Sequence, residues 1–216
     1  MNIELVNVIG IILAYLIGSI PTSVWIGRAF YGIDVRKFGS GNAGATNTIR
    51  VIGTFPGVIV LLIDAFKGWG AVSLAFFFGN NFHFYFQYVN YELVLALAVL
   101  LGHVFPIYVG FKGGKGIATL IGIVIALYPF AFFVALGLFI IVFVFTRYVS
   151  LGSILTAVSF PFIVIFVFNI TLPSLIIFAC MIAVFVPLTH KKNIKRLLNG
   201  SESKLYFNKK NKKDKQ

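Results

Sequence analysis

Seven apolar runs separated by short polar segments constrain this chain more than any other feature. They cover residues 3–27, 51–79, 91–109, 117–128, 130–146, 150–168 and 173–189. A helix needs about 20 apolar residues to cross a bilayer, because each residue advances its axis by only about 1.5 Å. In lipid the backbone N–H and C=O groups have only each other as partners, so such runs must be helical. Composition agrees: 59% of the 216 residues are hydrophobic and 11% are charged, too little polar surface to clothe a soluble globule. The mean hydropathy is +0.97. The expected fold class is an all-α polytopic membrane protein.

Basic residues decide how many runs cross. With the N-terminus outside and seven transmembrane helices, the inside segments are 28–50, 110–116, 147–149 and everything from 190. Those segments hold 17 of the 18 Lys and Arg residues, and the remaining one, Lys67, falls within a run. This satisfies the positive-inside rule throughout and puts the C-terminus in the cytoplasm. Treating 117–146 as one helix would move Arg147 and the basic tail outside; five spans are the fallback, because the fourth and fifth runs are short. Phe82, Phe84, Tyr85, Phe86, Tyr88 and Tyr91 fit an outer interfacial belt. The opening Met-Asn-Ile-Glu lacks the basic segment of a secretory signal, so the first run reads as a retained span. The expected organisation is a membrane domain, 1–190, and a basic cytoplasmic tail, 191–216, whose lysines beyond residue 204 are drawn to anionic lipid.

The net charge of +12 does not indicate nucleic acid, since the basic residues punctuate apolar runs instead of interleaving with exposed aromatics. The single cysteine, Cys180, lies in an apolar run and reads as a small hydrophobe. Six acidic residues without a cluster, and no His/Cys ligand set, imply neither a metal nor a cofactor. No catalytic triad is evident, which disfavours a covalent acyl-enzyme.

The first inside loop carries Gly39-Ser40-Gly41-Asn42-Ala43-Gly44, and Asp64 follows 20 residues after Gly44. The spacing imitates a dinucleotide fingerprint, but that motif works only between a strand and a helix of a βαβ unit, and membrane runs flank this loop. Its local chemistry remains. Glycines let backbone N–H groups approach an anion closely. Ser40, Asn42, Thr46 and Asn47 add hydrogen-bonding side chains, and Arg50 is able to fork onto a phosphate. The bland alternative is a flexible turn with a topology-setting arginine.

The second loop, Gly110-Phe-Lys112-Gly113-Gly114-Lys115-Gly116, departs from a Walker loop. Three residues, not four, separate Gly110 from Gly114, and Lys115 precedes glycine instead of Ser or Thr. Two lysines among glycines still make an anion cradle, although an inside-facing basic turn explains them too. His103 reads as a packing and hydrogen-bonding residue, with a base as the alternative. His190 closes the last run with Asn193 at helical i+3 spacing, facing either the same site or the interface. Asp64 and Lys67, also i and i+3, read as a mutually paired, structural ion pair within the second run.

Together Gly18-Ser-Ile-Pro-Thr22, Gly39–Asn47 with Arg50, Gly102-His-Val-Phe-Pro106 with Phe111–Gly116, and His190 with Asn193 resemble the bacterial acyl-phosphate:glycerol-3-phosphate acyltransferase family (PlsY). The likeness runs from the first span to the tail. It implies transfer of a fatty acyl group from acyl phosphate to glycerol-3-phosphate, giving lysophosphatidic acid and phosphate at the inner face of the bacterial cell membrane. It implies catalytic roles for Ser40, Arg50, His190 and Asn193. Substrate binding falls to Gly39, Gly41, Asn42, Thr46 and Asn47 and to the Lys112–Lys115 loop, and Glu202 is a structural acid. Substrate phosphate or His190 takes the hydroxyl proton. The expected partners are the two substrates, the lipid bilayer and the soluble phosphate acyltransferase that makes acyl phosphate. A transporter of organic phosphates is the main competing class, but it would place these cations at mid-membrane depth between repeats. A lipid-binding scaffold leaves the glycine loops unexplained.

Overall fold

The computed structural model describes residues 3–79 and 82–206, and among these there is no strand. The first run breaks into α1 (Ile3–Ser19) and α2 (Thr22–Tyr31), bent by 42° where Pro21 withholds an N–H from the helix. A short helix, α3 (Ala45–Val51), precedes the second run, which becomes α4 (Thr54–Ser73) and the single turn α5 (Ala75–Phe78). Then come α6 (Tyr85–Val104), α7 (Ile117–Leu127), α8 (Pro129–Thr146), α9 (Val149–Phe162), α10 (Pro173–Thr189) and α11 (Lys191–Leu198). Pro129 starts α8 at its first turn, where a missing N–H costs nothing, so residues 117–146 are two helices and not one. A π-helical stretch, Ile163–Val167, follows Pro161 in α9.

Four of these segments are unbent and long and apolar enough to cross a membrane, and two further bent pairs qualify if each counts as one span. The fourth run is the exception: α7 has 11 residues, so it covers only about 16 Å of a core about 30 Å thick. Outward faces match a lipid solvent. Phe130, Phe133 and Phe145 on α8 are 74%, 67% and 84% exposed, an arrangement water would not tolerate.

Two helix pairs approach closely. A Cβ at Gly18 of α1 would strike the Val99 backbone of α6, and one at Gly102 would strike the backbone of Tyr15 and Ser19. Gly68 of α4 meets the Thr119 backbone of α7 in the same way, and Gly122 meets Ala65. Between membrane helices the hydrophobic effect supplies little drive, so close backbone packing through small residues takes its place. At the other end of the chain α9 packs between α8 and α10. Tyr128, at the α7–α8 hinge, donates 2.7 Å to the Leu175 carbonyl and meets the Phe160 ring edge-on at 5.2 Å.

The belt expected over residues 82–91 divides. Phe84, Tyr85 and Phe86 are exposed, but Tyr91 is buried and donates to the Asn7 carbonyl at 2.9 Å, with Phe82 packed on its ring. The segment assigned to the tail also divides. Residues 191–206 pack on the membrane helices, with Asn193, Glu202 and Leu205 buried. The tail lysines from 209 onward lie outside the described residues.

The four basic segments converge. Arg36 donates to the Val109 and Lys112 carbonyls, both at 3.2 Å. Arg50 donates to the Ser203 carbonyl at 2.9 Å, and the Leu205 amide to the Arg147 carbonyl at 2.9 Å. One end of the bundle therefore gathers the loops that sequence spreads over the whole chain.

Candidate active site

The first loop is shaped by two anchors, half-buried Asp34 and buried Asn47. Asp34 accepts from Arg28 at 2.8 Å and from Arg36 Nε at 3.0 Å and Nη2 at 2.8 Å. Arg36 beside it holds its carboxyl well below the usual carboxylate range, despite the opposing effect of burial. With its guanidinium also spent on the second loop, Arg36 staples the two loops together. Asn47 is the other anchor. Its Oδ1 accepts from the Ser40 amide at 2.8 Å, and its Nδ2 donates to the carbonyls of Val35, Asn42 and Phe38 at 2.8, 3.0 and 3.2 Å. Gly39 and Gly41 turn the chain around it at φ +60° and +74°, the left-handed region that a side chain resists. Asn47 thus spends its amide on the loop that presents Ser40.

The second loop lies on the end of α6. Gly113 N–H donates to the Val104 carbonyl at 3.1 Å and Gly114 N–H to the His103 carbonyl at 3.2 Å. Neither position has room for a Cβ: Gly113 would strike the His103 carbonyl, and Gly114 the His103 ring. This seating points Lys115 across the end of the bundle, where its ammonium donates to Asn193 Oδ1. Asn193 passes the contact on, donating 2.7 Å to Glu202 Oε1, which also accepts from Ser150 at 2.9 Å. Arg196 Nε donates 2.6 Å to Glu202 Oε2. Burial alone would raise Glu202, but bonds from Arg196, Asn193 and Ser150 hold it below its ordinary value. Burial pushes Lys115 down to about 8, with Arg196 and Arg50 adding to the effect and Glu202 opposing it.

These groups surround a cavity of about 390 Å³ whose walls include Ser40, Asn42, Gly114, Lys115, Asn193 and Arg196. Its volume falls in the range of small-molecule sites. Gly41, Lys191, Lys192, Leu188 and Thr189 complete the wall. Arg50 and His190 stand off that wall. Arg50 keeps one buried Nε without a hydrogen-bond partner, and burial lowers its pKa. His190 is buried with Nδ1 at 2.8 Å from the Val186 carbonyl, so Nδ1 carries the hydrogen and Nε2 the lone pair.

Of the residues singled out by sequence, Ser40, Gly41, Asn42, Gly114, Lys115 and Asn193 meet at the cavity. Gly39 and Asn47 build the loop behind it, half-buried Thr46 lies in the first turn of α3, and Gly113 faces inward beneath the loop. Lys112 points to solvent and contributes its carbonyl to Arg36. Asp64 and Lys67 pair at 2.6 Å within α4. Sequence reading missed Arg28, Asp34, Arg36, Ser150 and Arg196. Arg36 and Asp34 are two residues apart and opposite in charge, the one local signal available; Ser150 and Arg196 gain meaning only when Glu202 folds back onto them.

A family model described as glycerol-3-phosphate acyltransferase matches residues 8–200. A glycerol-3-phosphate acyltransferase of Chlorobaculum tepidum is 41% identical over 93% of this chain and 97% of its own. One from Fusobacterium nucleatum is 43% identical over 91% of this chain and 97% of its own. Among solved structures, the glycerol 3-phosphate form of PlsY, an integral membrane glycerol 3-phosphate acyltransferase, superposes with a TM-score of 0.80 at 35% identity. It covers 93% of this chain and 96% of that one. Matched along nearly its whole length, this chain of apolar helices belongs to the glycerol-3-phosphate acyltransferase family.

Proposed function

We propose that this chain moves a fatty acyl group from acyl phosphate to the sn-1 hydroxyl of glycerol-3-phosphate, at the cytoplasmic face of a bacterial cell membrane. In this reading the N-terminus is outside, the chain crosses seven times with α7 incompletely spanning, and a soluble phosphate acyltransferase supplies the donor. The observation that carries the reading is convergence. Ser40, Lys115 and Asn193 come from three distant segments and share one cavity of about 390 Å³ among the basic loops. Two phosphate-bearing substrates require such a cationic site at the membrane surface.

An acyl phosphate is an activated anhydride, so the protein needs to position a hydroxyl and neutralise charge, not donate a nucleophile. The glycerol oxygen attacks the acyl carbon, the bond from that carbon to the bridging phosphate oxygen breaks, and phosphate leaves with the hydroxyl proton. The Gly113–Lys115 loop binds the glycerol-3-phosphate phosphate. Ser40 and Arg50 serve the donor, and Asn193 fixes Lys115. His190 Nε2 is the alternative proton acceptor. The test is phosphate release by purified protein in vesicles. Turnover with palmitoyl phosphate plus glycerol-3-phosphate and none with palmitoyl-coenzyme A is the expected result. Turnover with the thioester alone overturns the choice of donor.

A further inference from the structure

Beneath the second loop, α2, α4, α6 and α7 enclose a polar cluster whose side chains are absent from the cavity wall. Lys67 Nζ lies 2.6 Å from Asp64 Oδ1 and donates 2.9 Å to the Ile20 carbonyl, at the break before Pro21. Thr22 donates to the same Asp64 oxygen at 2.9 Å. His103 Nδ1 is 3.9 Å from that oxygen and 3.0 Å from Thr119 Oγ1. All five residues are buried.

Stability alone gives little reason for such a cluster. Charged pairs taken out of water seldom gain more than an apolar replacement would, and the bilayer raises their cost. Lys67 does give the Ile20 carbonyl a second donor beside the Thr22 amide, but that leaves His103 and Thr119 without a purpose. Their placement supplies one. His103 carries the second loop twice: its carbonyl accepts the Gly114 amide, and its ring fills the space a Gly114 side chain would need. A void of about 10 Å³ among Thr22, Asp64, Lys67, His103, Gly113 and Gly114 is close to the least that holds one water, so the loop and the cluster are in near-direct register.

We infer that Thr119 is a positioning residue for substrate binding: it fixes the His103 ring, and through it the height of the Gly113–Gly114 backbone and of Lys115 over the bound phosphate. The inference rests on the reading that this loop binds glycerol-3-phosphate. Thr119→Val keeps the side-chain shape and removes the hydroxyl; Thr119→Ser restores it. Binding of glycerol-3-phosphate is measured by titration calorimetry without any acyl donor, together with KM and kcat in the phosphate-release assay. Thr119→Val is expected to weaken Kd and raise KM by about fivefold, the worth of one hydrogen bond, with the change falling on KM more than on kcat. Thr119→Ser returns both toward wild type. A Thr119→Val protein with wild-type Kd overturns the inference, as does a Thr119→Ser protein as weak as the valine variant. Should Thr119→Val fail to fold, Thr119→Ala carries the same comparison with Thr119→Ser, and an unaltered Kd there overturns it. Wild-type protein that binds no glycerol-3-phosphate strikes the assignment of the loop instead, a separately visible failure.

Discussion

Lys115 is the residue whose charge state matters most. Its ammonium is pushed down to about 8 by burial and by Arg196 and Arg50, against the pull of Glu202. It is therefore cationic below pH 8 and loses its proton as pH rises through that value, while a solvated lysine would hold it two units further. Affinity for a phosphate dianion should fall along the same limb. The expected outcome is a KM for glycerol-3-phosphate that climbs above about pH 8, and a limb that moves to lower pH in Glu202→Gln, where the opposing carboxylate is gone. Steady-state kinetics between pH 6.5 and 9.5 read both; a flat KM across that window would remove Lys115 from phosphate binding. At this scale much of the site was legible, because glycine, serine and lysine crowded into two loops have few structural uses. What sequence could not separate was the two lysines of one loop. Lys112 and Lys115 look equivalent on paper, and only the bonds from Gly113 and Gly114 to the end of α6 turn one inward and leave the other in water.

The apolar runs announced where helices would form, and Pro129 marked the break between α7 and α8. Their contacts were hidden, since a glycine inside an apolar run says nothing of its neighbour. Gly122 shows the consequence: it lies against the Ala65 backbone, and the same α4–α7 contact sets Thr119 near His103. Gly122→Val forces this pair apart, and overpacking of a tight contact costs about 1–3 kcal/mol, more when backbone is the obstacle. The expected outcome is a lower apparent Tm in detergent and a weakened glycerol-3-phosphate Kd together, because the helix pair and the loop share α7. Gly137, on α8, has open space around it. Gly137→Val should leave both quantities near wild type, and equal damage at the two positions would dissociate the contact from the site. A 25-residue apolar run reads as one span, yet the chain bends 42° at Pro21, where Lys67 reaches across to the Ile20 carbonyl.

At the scale of the whole molecule, the bundle delivers loops far apart in sequence to one end, and the C-terminal segment closes them in. Charge distribution foretold that gathering, since basic residues mark a common side. It did not foretell the closure: a polar, lysine-rich tail resembles a solvated extension, and its packing centres on Glu202. That carboxylate joins Ser150 at the start of α9 to Asn193 and Arg196 of α11, while the Ser203 carbonyl accepts from Arg50 and the Leu205 amide binds Arg147. Truncation separates the two parts of the tail. A chain ending at Tyr206 keeps every one of these bonds and should retain turnover within about twofold, the scatter of independent, distant changes. A chain ending at Gly200 loses all of them, freeing Asn193 and leaving Arg50, Lys115 and Arg196 mutually repelling without their carboxylate. Loss of at least about a hundredfold in kcat/KM is expected there, as when a preorganised electrostatic contact is removed. Phosphate release measured on both truncations decides it, and a Gly200-terminated protein of near-normal activity would show the strap to be dispensable.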